Sequence, residues 1–284
     1  MSLLIQLRYR IRAIETIKKI THAMRLISMS ARSRLKSKED PLREYMASSA
    51  QLLNRIKARV PDWQNPILTP ETSPKPLLIL IGSQRGLCGN FNTTLFHYFE
   101  KSINESYATM QSLAIIPVGK KAIQYAQDIP TLSIIREYPD LTAKNIPAIS
   151  RDITNYLFAT RPPFSQVHVF SNQLKTFFVQ KPHETMLIPF TPDQEKTAEP
   201  PSKDDYLWEQ SPEDLLDQLA YQTIEVQLHY LLFESLLAEH AARFISMDNA
   251  TRNAQTLLEE TQLQYNKLRQ AKITKELTEL TGSF

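Results

Sequence analysis

The apolar residues of this chain follow two different periods, and the change between them divides it into three parts. Towards both ends, apolar side chains recur every three or four positions, as they do along one face of an α-helix. Between them lie short apolar runs, which are typical of buried β-strands: LLILI from Leu77, LAIIPV from Leu113 and QVHVF from Gln166. The pattern predicts a small α/β segment between two helical segments.

The C-terminal helical pattern is the longer one. Ser211-Pro212-Glu213-Asp214 combines a serine N-cap, a proline in the first turn and two acids near the helix N-terminus. No further proline or glycine occurs before Gly282, so we expect a helix of about 69 residues, on the order of 100 Å long. From Leu216 to Leu268, sixteen positions keep an unbroken 3-4 spacing, and twelve of them are apolar. This regularity indicates a coiled coil.

The N-terminal pattern also predicts one long helix. From Ser2 to Arg59 there is no glycine and only one proline, Pro41, so we expect about 57 helical residues with a bend at that proline. The apolar stripe that we expect to pack in the coil consists of Ala13, Ile17, Ile20, Met24, Ile27 and Ala31.

These elements define a fold class and an organisation. We expect an α/β protein in which two long antiparallel coiled-coil helices flank a small Rossmann-like α/β domain with a mainly parallel sheet. The helices cover residues 1–60 and 211–284, the α/β domain covers residues 77–210, and a proline-rich linker covers residues 61–76. Amphipathic helices are predicted between the strands, in TTLFHYFEKSINESY and NIPAISRDITNYLFA, and FFVQ and MLIPF are candidates for further strands.

Charge is distributed unevenly over the 284 residues, although the net charge is only +3. Residues 1–60 carry 14 Lys or Arg and 4 acids, whereas residues 213–279 carry 11 acids and 6 Lys or Arg. Opposite charges predict two segments that lie together or face different partners. The basic N-terminal helix is not typical of a nucleic-acid-binding helix, because the apolar stripe already uses part of its circumference for packing.

The candidate chemistry is sparse. The single cysteine, Cys88, excludes an internal disulfide framework and favours a reducing compartment. The sequence contains no run of about 20 apolar residues, which is the length needed to span a bilayer. The six histidines show no metal-ligand spacing, and no catalytic set stands out. We therefore expect no catalytic residue, no metal and no cofactor.

One loop, GSQRGLCGNFN from Gly82 to Asn92, follows a predicted strand and precedes a helix, as phosphate-binding loops do. It lacks the Lys-Ser/Thr end of a P-loop, and its glycines do not have the G-x-G-x-x-G spacing. We expect a structural loop in which Arg85, Gly86, Cys88 and Gly89 shape the junction between strand and helix, with Cys88 buried.

Several motifs together resemble one family. KKITHAMRLIS (Lys18 to Ser28) is similar to the KIT-x-AM signature of the gamma subunit of rotary F-type ATP synthases, and RGLCGNFN is similar to that family's RGLCGGLN loop. EHAARFISMDNATRNA and LQYNKLRQAKITKELTELTG resemble its C-terminal signature, and YLWEQSPEDLLDQL resembles its foot segment. The motifs are ordered along nearly the whole chain. The sequence departs from the family pattern at His22 and Arg25 in the first motif and at Asn90 in the loop, which resembles a divergent bacterial member from an alternative operon.

The resemblance implies a central rotor shaft that couples ion-driven rotation to conformational cycling of the catalytic hexamer. The implied partners are three alpha and three beta subunits, the epsilon subunit and the membrane c-ring, at the cytoplasmic face of the bacterial inner membrane. It implies no nucleic acid and no direct small-molecule substrate. The residues implied to contact the catalytic ring, as bearing and catch, are Lys18, Lys19, Met24, Arg25, Arg243, Arg269, Gln270 and Thr274. Those implied to contact the rotor ring and epsilon are Tyr206, Trp208 and Glu209.

Two alternatives stay open on the residues alone. One is a nucleotide-binding α/β enzyme that uses the loop from Gly82 to Gly89. The other is a non-catalytic coiled-coil scaffold protein.

Overall fold

Two long helices enclose the rest of the chain in sequence. The computed structural model describes residues 3–60, 63, 65, 76–107, 110, 112–160, 164–190 and 211–281. Helix α1 spans Leu3–Lys57 and contains Pro41, and the C-terminal helix, the fifth in chain order, spans Pro212–Thr281. The backbone N–H of Asp214 donates to the Ser211 hydroxyl at 3.2 Å, which confirms the predicted N-cap.

The segment between them alternates strands and helices. Its elements in chain order are β1 (Pro76–Ile81), α2 (Phe91–Ser106), β2 (Leu113–Val118), α3 (Lys120–Gln127), β3 (Leu132–Ile134), α4 (Ile146–Ala159), β4 (Gln166–Thr176) and β5 (Val179–Ile188), and the C-terminal helix is therefore α5. The mixed α/β class with long terminal helices is confirmed. The sequence did not predict α3 and β3, and it divided β5 into two short strands, whereas β4 and β5 form one antiparallel hairpin.

The five strands form one sheet in the order β3-β2-β1-β4-β5. The pairings of β1 with β2, β1 with β4 and β2 with β3 are parallel, so the mainly parallel sheet is confirmed. The central strand β1 is fully buried, and its side chains alternate between two apolar clusters. Leu77, Ile79 and Ile81 pack with residues of α1, α4 and α5, whereas Leu78 and Leu80 pack with residues of α2 and α3.

The chain divides into two compact units. Unit 1 contains Met1–Ala31 and Arg243–Phe284, and unit 2 contains Arg32–Ala242, which includes the sheet. Both α1 and α5 contribute residues to each unit.

In unit 1, α1 and α5 run antiparallel. Arg8 contacts Tyr265, Thr21 contacts Thr251 and Arg25 contacts Asp248, so the residue number on α5 falls as that on α1 rises. Antiparallel packing of the two helices is therefore confirmed.

The stripe predicted for α1 is wrong. Ile17, Ile20 and Ile27 are 53%, 55% and 66% exposed, so they do not form the inner side of the coil. The α1 residues buried in unit 1 are instead spaced by seven and become polar along the helix: Leu7, Ile14, Thr21 and Ser28. The hydroxyl groups of Thr21 and Ser28 donate to backbone carbonyl groups of α1. Because these groups are satisfied, polar residues can lie in the seam, which is the buried contact line between α1 and α5.

The seam predicted for α5 is confirmed by burial. Each of the sixteen positions from Leu216 to Leu268 is buried or half-buried. Two of the four polar exceptions, Thr251 and Thr261, fit because they donate to backbone carbonyl groups of their own helix, at 2.7 Å each.

Candidate functional site

The loop after β1 uses its polar groups on itself. The backbone N–H of Ser83 donates to Asn92 Oδ1 at 3.0 Å, and Asn92 Nδ2 donates to the Ser83 hydroxyl at 2.8 Å. That hydroxyl in turn donates to the carbonyl oxygen of Arg85 at 2.9 Å. These bonds fold the loop back onto the start of α2.

Helix α5 covers the same loop within unit 2. The backbone N–H of Gln84 donates to the Glu239 carboxylate at 3.4 Å, which places an acid from α5 beside a loop donor. Cys88 and Phe91 are 3% exposed and pack against Ala238 and Ala242 of α5. A phosphate-binding loop offers free backbone donors to an anion, whereas this donor already faces a carboxylate of the same chain. The geometry therefore does not support the nucleotide-binding alternative.

Backbone geometry explains the glycines at this edge of the sheet. Gly89 has φ 62°, in the left-handed region that favours glycine. Gly119, which follows β2, has φ 92°, and a Cβ there would lie 2.4 Å from the carbonyl oxygen of Gly82. Gly86, in contrast, has no atom within 4 Å of its Cβ position, and Arg85 is exposed.

The predicted ring-contact residues of α1 all lie in unit 1, but their surroundings differ. Lys19 is exposed and Met24 is half-buried. Lys18 donates through Nζ to Gln255 of α5, and Arg25 donates through Nη1 to Asp248 Oδ1 at 2.7 Å. Two of the four α1 residues therefore already contact the other helix.

The predicted ring-contact residues of α5 also differ among themselves. Arg243 is buried, at 6% exposure. Arg269, Gln270 and Thr274 are exposed, and the Thr274 hydroxyl donates to the carbonyl oxygen of Gln270 at 3.0 Å. From residue 269 to residue 279 every position is exposed, so no described residue covers a face of this part of α5.

Sequence reasoning missed the outer apolar surface of unit 1. The apolar pattern predicts Ile17, Ile20 and Ile27 in the coil, but all three are exposed, as is Leu26 at 54%. The available signal was the competing seven-residue spacing from Leu7 through Ser28, which includes polar residues and therefore scores poorly as a hydrophobic stripe.

Two acids of α5 have opposite electrostatic surroundings. In unit 1, the hydrogen bond from Arg25 holds the pKa of Asp248 below its usual range. In unit 2, burial raises the pKa of Glu234 to about 7, and the nearby charge of Glu39 contributes to the same shift. Glu234 is 7% exposed and Glu39 is 6% exposed.

The predictions for the foot segment, for metal ions and for membrane spans remain to be compared with the structure. Tyr206, Trp208 and Glu209 lie outside the described residues. Within the described ranges, no group of three His, Cys, Asp or Glu residues could hold a metal ion. None of the helices in those ranges combines the length and apolar character needed to cross a membrane.

Sequence comparisons point in one direction. The sequence profile of the family described as ATP synthase matches residues 4–284. The ATP synthase gamma chain of Trichlorobacter lovleyi is 31% identical over 284 residues, which cover 99% of this chain and 97% of the relative. That of Chlorobium phaeobacteroides is 30% identical over 288 residues, with the same coverage.

Structural comparisons find the same fold in larger assemblies. A chain in the cryo-EM structure of Euglena gracilis mitochondrial ATP synthase, in the OSCP, F1 and c-ring assembly, has a TM-score of 0.68 and 18% identity. The match covers 99% of this chain and 93% of that one. A chain in the Tetrahymena thermophila central stalk and c-ring has a TM-score of 0.59 and 19% identity, and covers 81% of this chain and 99% of that one.

Proposed function

This chain belongs to the family of ATP synthase gamma chains, and from that premise we propose how its described residues serve as a rotating central shaft. It is a non-catalytic stalk subunit of the ATP synthase complex. We propose that unit 1 is the part that meets the catalytic ring of three alpha and three beta subunits. A rotating shaft needs a stiff helix pair and a surface that other subunits contact, rather than a ligand-binding pocket.

The outer surface of unit 1 is the single observation that carries this proposal. Ile17, Ile20 and Ile27 are more than half exposed, while Thr21 and Ser28 occupy the seam. A helix pair with polar groups inside and isoleucines outside is unfavourable in water, unless another molecule covers the isoleucines. We propose that the surrounding ring of alpha and beta subunits covers these isoleucines.

The exposed end of α5 supplies the second contact in this proposal. Arg269, Gln270 and Thr274 lie where every side of the helix is exposed, together with the apolar Ile273 and Leu277. Exposed ion pairs contribute only about 0 to 1 kcal/mol each, so the basic residues of the bearing can exchange acidic partners as the shaft turns. Hydrogen bonds from Gln270 and Thr274 then hold a resting angle, each contributing roughly 0.5–1.5 kcal/mol.

Asymmetry connects rotation to catalysis. A helix pair presents different side chains in different directions, so each catalytic subunit meets a different face at any moment. Differential contact free energy shifts each subunit among its conformations, and rotation moves that bias from one subunit to the next. Buried Arg243 and the Arg25 contact within the chain limit how much of those two side chains reaches a partner.

The residues assigned to contact the c-ring and the epsilon subunit rest on the sequence alone. We propose that Tyr206, Trp208 and Glu209 contact the c-ring and the epsilon subunit, and that the loop with Arg85, Gly86, Cys88 and Gly89 shapes the sheet-to-helix junction. The curated relatives named above are bacterial, which supports a place at the cytoplasmic face of the inner membrane through the assembled complex.

Assembly tests the outer surface directly. Ile20→Ser combined with Ile27→Ser changes exposed side chains, so the isolated chain should unfold at an unchanged denaturant concentration. Co-purification with the alpha and beta subunits should nevertheless fall several-fold, because about 25 cal/mol is lost per Å2 of apolar surface no longer covered.

A matched control is Phe178→Ser in unit 2, which also replaces a large exposed apolar residue, at 72% exposure. It should leave co-purification unchanged. Equal recovery of the complex with the double isoleucine variant and with wild type would overturn the assignment of this surface to the ring.

A further inference from the structure

A series of polar contacts joins α1 to α5 along and beside the seam of unit 1. Thr21 and Thr251 have their hydroxyl oxygens 2.9 Å apart, and Arg25 Nη1 lies 2.7 Å from Asp248 Oδ1. Further along, Lys18 donates to Gln255, and Arg8 Nη2 donates to the Tyr265 hydroxyl at 2.9 Å. Four successive contacts therefore pair particular residues of one helix with particular residues of the other.

The ion pair between Arg25 and Asp248 is the one of these contacts with full opposite charges. The side chains are 29% and 17% exposed, so both are partly removed from water. Asp248 also receives Arg252 Nη2 at 2.8 Å, but that arginine lies on the same helix and is 78% exposed. Asp248 is thus held by one bond across the seam and one bond within α5.

Polar seam residues act differently from apolar ones. An apolar side chain packs acceptably against many apolar neighbours, so a purely apolar seam tolerates a shift of one helix along the other. A partly buried polar group whose partner lies on the other helix loses that partner when the helices shift, and the loss is costly. Polar seam residues therefore specify register at some cost in stability.

We propose that Arg25 and Asp248 are positioning residues that fix the register of α1 against α5 in unit 1. The proposal rests on the proposed function, because register matters to the reaction only if both helices face the catalytic ring. A shift by one helical turn moves a residue by about 5.4 Å. Such a shift would separate Lys19 and Met24 from the positions they hold relative to Gln270 and Thr274 on the other helix.

A disulfide reporter measures the register in the full-length chain. The reporter is Thr21→Cys with Thr251→Cys in a Cys88→Ala background, which removes the only native cysteine. The close approach of the two hydroxyl oxygens places the new sulfur atoms within disulfide reach in the native register. Mild oxidation should then close the disulfide rapidly, as gel mobility without reductant reports.

Asp248→Ala tests the ion pair in this background, and Arg252→Ala is the matched control because it removes only the bond within α5. Asp248→Ala should slow disulfide closure roughly fivefold to tenfold, given what a partly exposed, charge-assisted contact contributes. Arg252→Ala should leave the rate unchanged. Arg25→Gln should slow disulfide closure as much as Asp248→Ala does. The variant that carries both substitutions should close hardly more slowly than either single variant.

The functional readout is the ratio of ions pumped to ATP hydrolysed by the assembled complex in membrane vesicles, measured with the native threonines and Cys88. Asp248→Ala should lower this ratio at unchanged recovery of the complex, whereas Arg252→Ala should preserve it. A loss of stability alone would lower recovery instead.

The outcomes separate the two levels of the proposal. An unchanged closure rate with both Asp248→Ala and Arg25→Gln overturns the register role, whatever the chain's function. Slower closure with an unchanged pumping ratio overturns the positioning role in the reaction. Failure of the complex to form with wild-type chain contradicts the proposed function instead, and leaves the disulfide result as a separate test.

Discussion

Helix α5 has different surroundings in the two units. In unit 2, residues 231–239 are all buried, so the helix packs on every side. In unit 1, exposed positions interrupt the buried and half-buried ones of α5 from residue 249 onward, and residues 269–279 are exposed throughout. One continuous helix thus serves as a core element in one unit and as a surface element in the other. Apolar packing therefore fixes α5 in unit 2, whereas α5 presents its surface in unit 1.

The largest effect should come from shortening a core leucine of α5. Leu237, in unit 2, is fully buried, so Leu237→Ala should lower the free energy of unfolding by about 2–5 kcal/mol. Leu263→Ala, in unit 1, changes a side chain that is 57% exposed and should stay within about 0.5 kcal/mol of wild type. Equilibrium urea unfolding of both variants measures the contrast. Equal losses would mean that the two parts of α5 do not differ as described.

A second contrast concerns the two acids with opposite pKa shifts. Folding raises the pKa of Glu234 from an ordinary 4.5 to about 7, so the folded chain holds a proton that the unfolded chain releases. Stability should therefore fall as pH rises from about 4.5 to about 7 and then level off, by an amount on the order of 3 kcal/mol at most. Glu234→Gln should remove this decline.

The groups that face Glu234 make the test specific. Glu39 and Arg43 of α1, Lys175 of β4 and Tyr230 of α5 surround it, and burial is the largest cause of its shift. Glu260→Gln, on the exposed side of the same helix, serves as the control. Urea unfolding at several pH values between 5 and 8 should show the same slope for that control and wild type. A Glu234→Gln slope equal to theirs would contradict the buried-acid account.

Part of the architecture was predictable because local signals were strong. The cap at Ser211 and the twelve apolar seam positions of α5 depend on neighbouring residues, which the sequence displays directly. The α1 seam was not predictable, because Thr21 and Ser28 are polar residues whose hydroxyl groups donate to carbonyl oxygens of their own helix. Exposed Ile17, Ile20 and Ile27 produced the stronger apolar pattern.

The loop after β1 shows a second limit of sequence reasoning. Its glycines and the buried Cys88 fit a structural loop, but the contact with Glu239 joins residues 155 positions apart. No local pattern marks an acid on a distant helix as the neighbour of that loop. The short elements α3 and β3 were missed because eight and three residues give too few periods to recognise.

The third effect tests how rigidly unit 2 holds this edge of its sheet. Gly119 has φ 92° and ψ 141°, a conformation essentially restricted to glycine, so Gly119→Ala should cost roughly 1–3 kcal/mol from backbone strain. The close carbonyl oxygen of Gly82 adds to this cost. Gly86→Ala, where the new methyl group meets open space, should stay within about 0.5 kcal/mol of wild type. Urea unfolding compares the two variants. Equal stability of Gly119→Ala and Gly86→Ala would show that the backbone at this edge of the sheet adjusts to a side chain without strain.

The smallest effect belongs to Asp248 in unit 1. Because Arg25 lowers its pKa, the contribution of Asp248 to stability is present above its ordinary pKa and is lost as pH falls through the lower folded value. Asp248→Asn should therefore flatten only the acid side of the stability profile, opposite in sign to Glu234→Gln. Thermal unfolding from pH 3 to pH 6 measures it, and a change confined to neutral pH would contradict the assignment.

Rotation of the chain within its complex tests the central claim most directly. A probe can be attached to Lys101→Cys in a Cys88→Ala background, because Lys101 lies in α2 of unit 2 with its side chain 68% exposed. With the catalytic subunits fixed to a surface, the account predicts that the probe turns in one direction, at a rate that depends on ATP concentration. A probe that stays still while the same complexes hydrolyse ATP would contradict it.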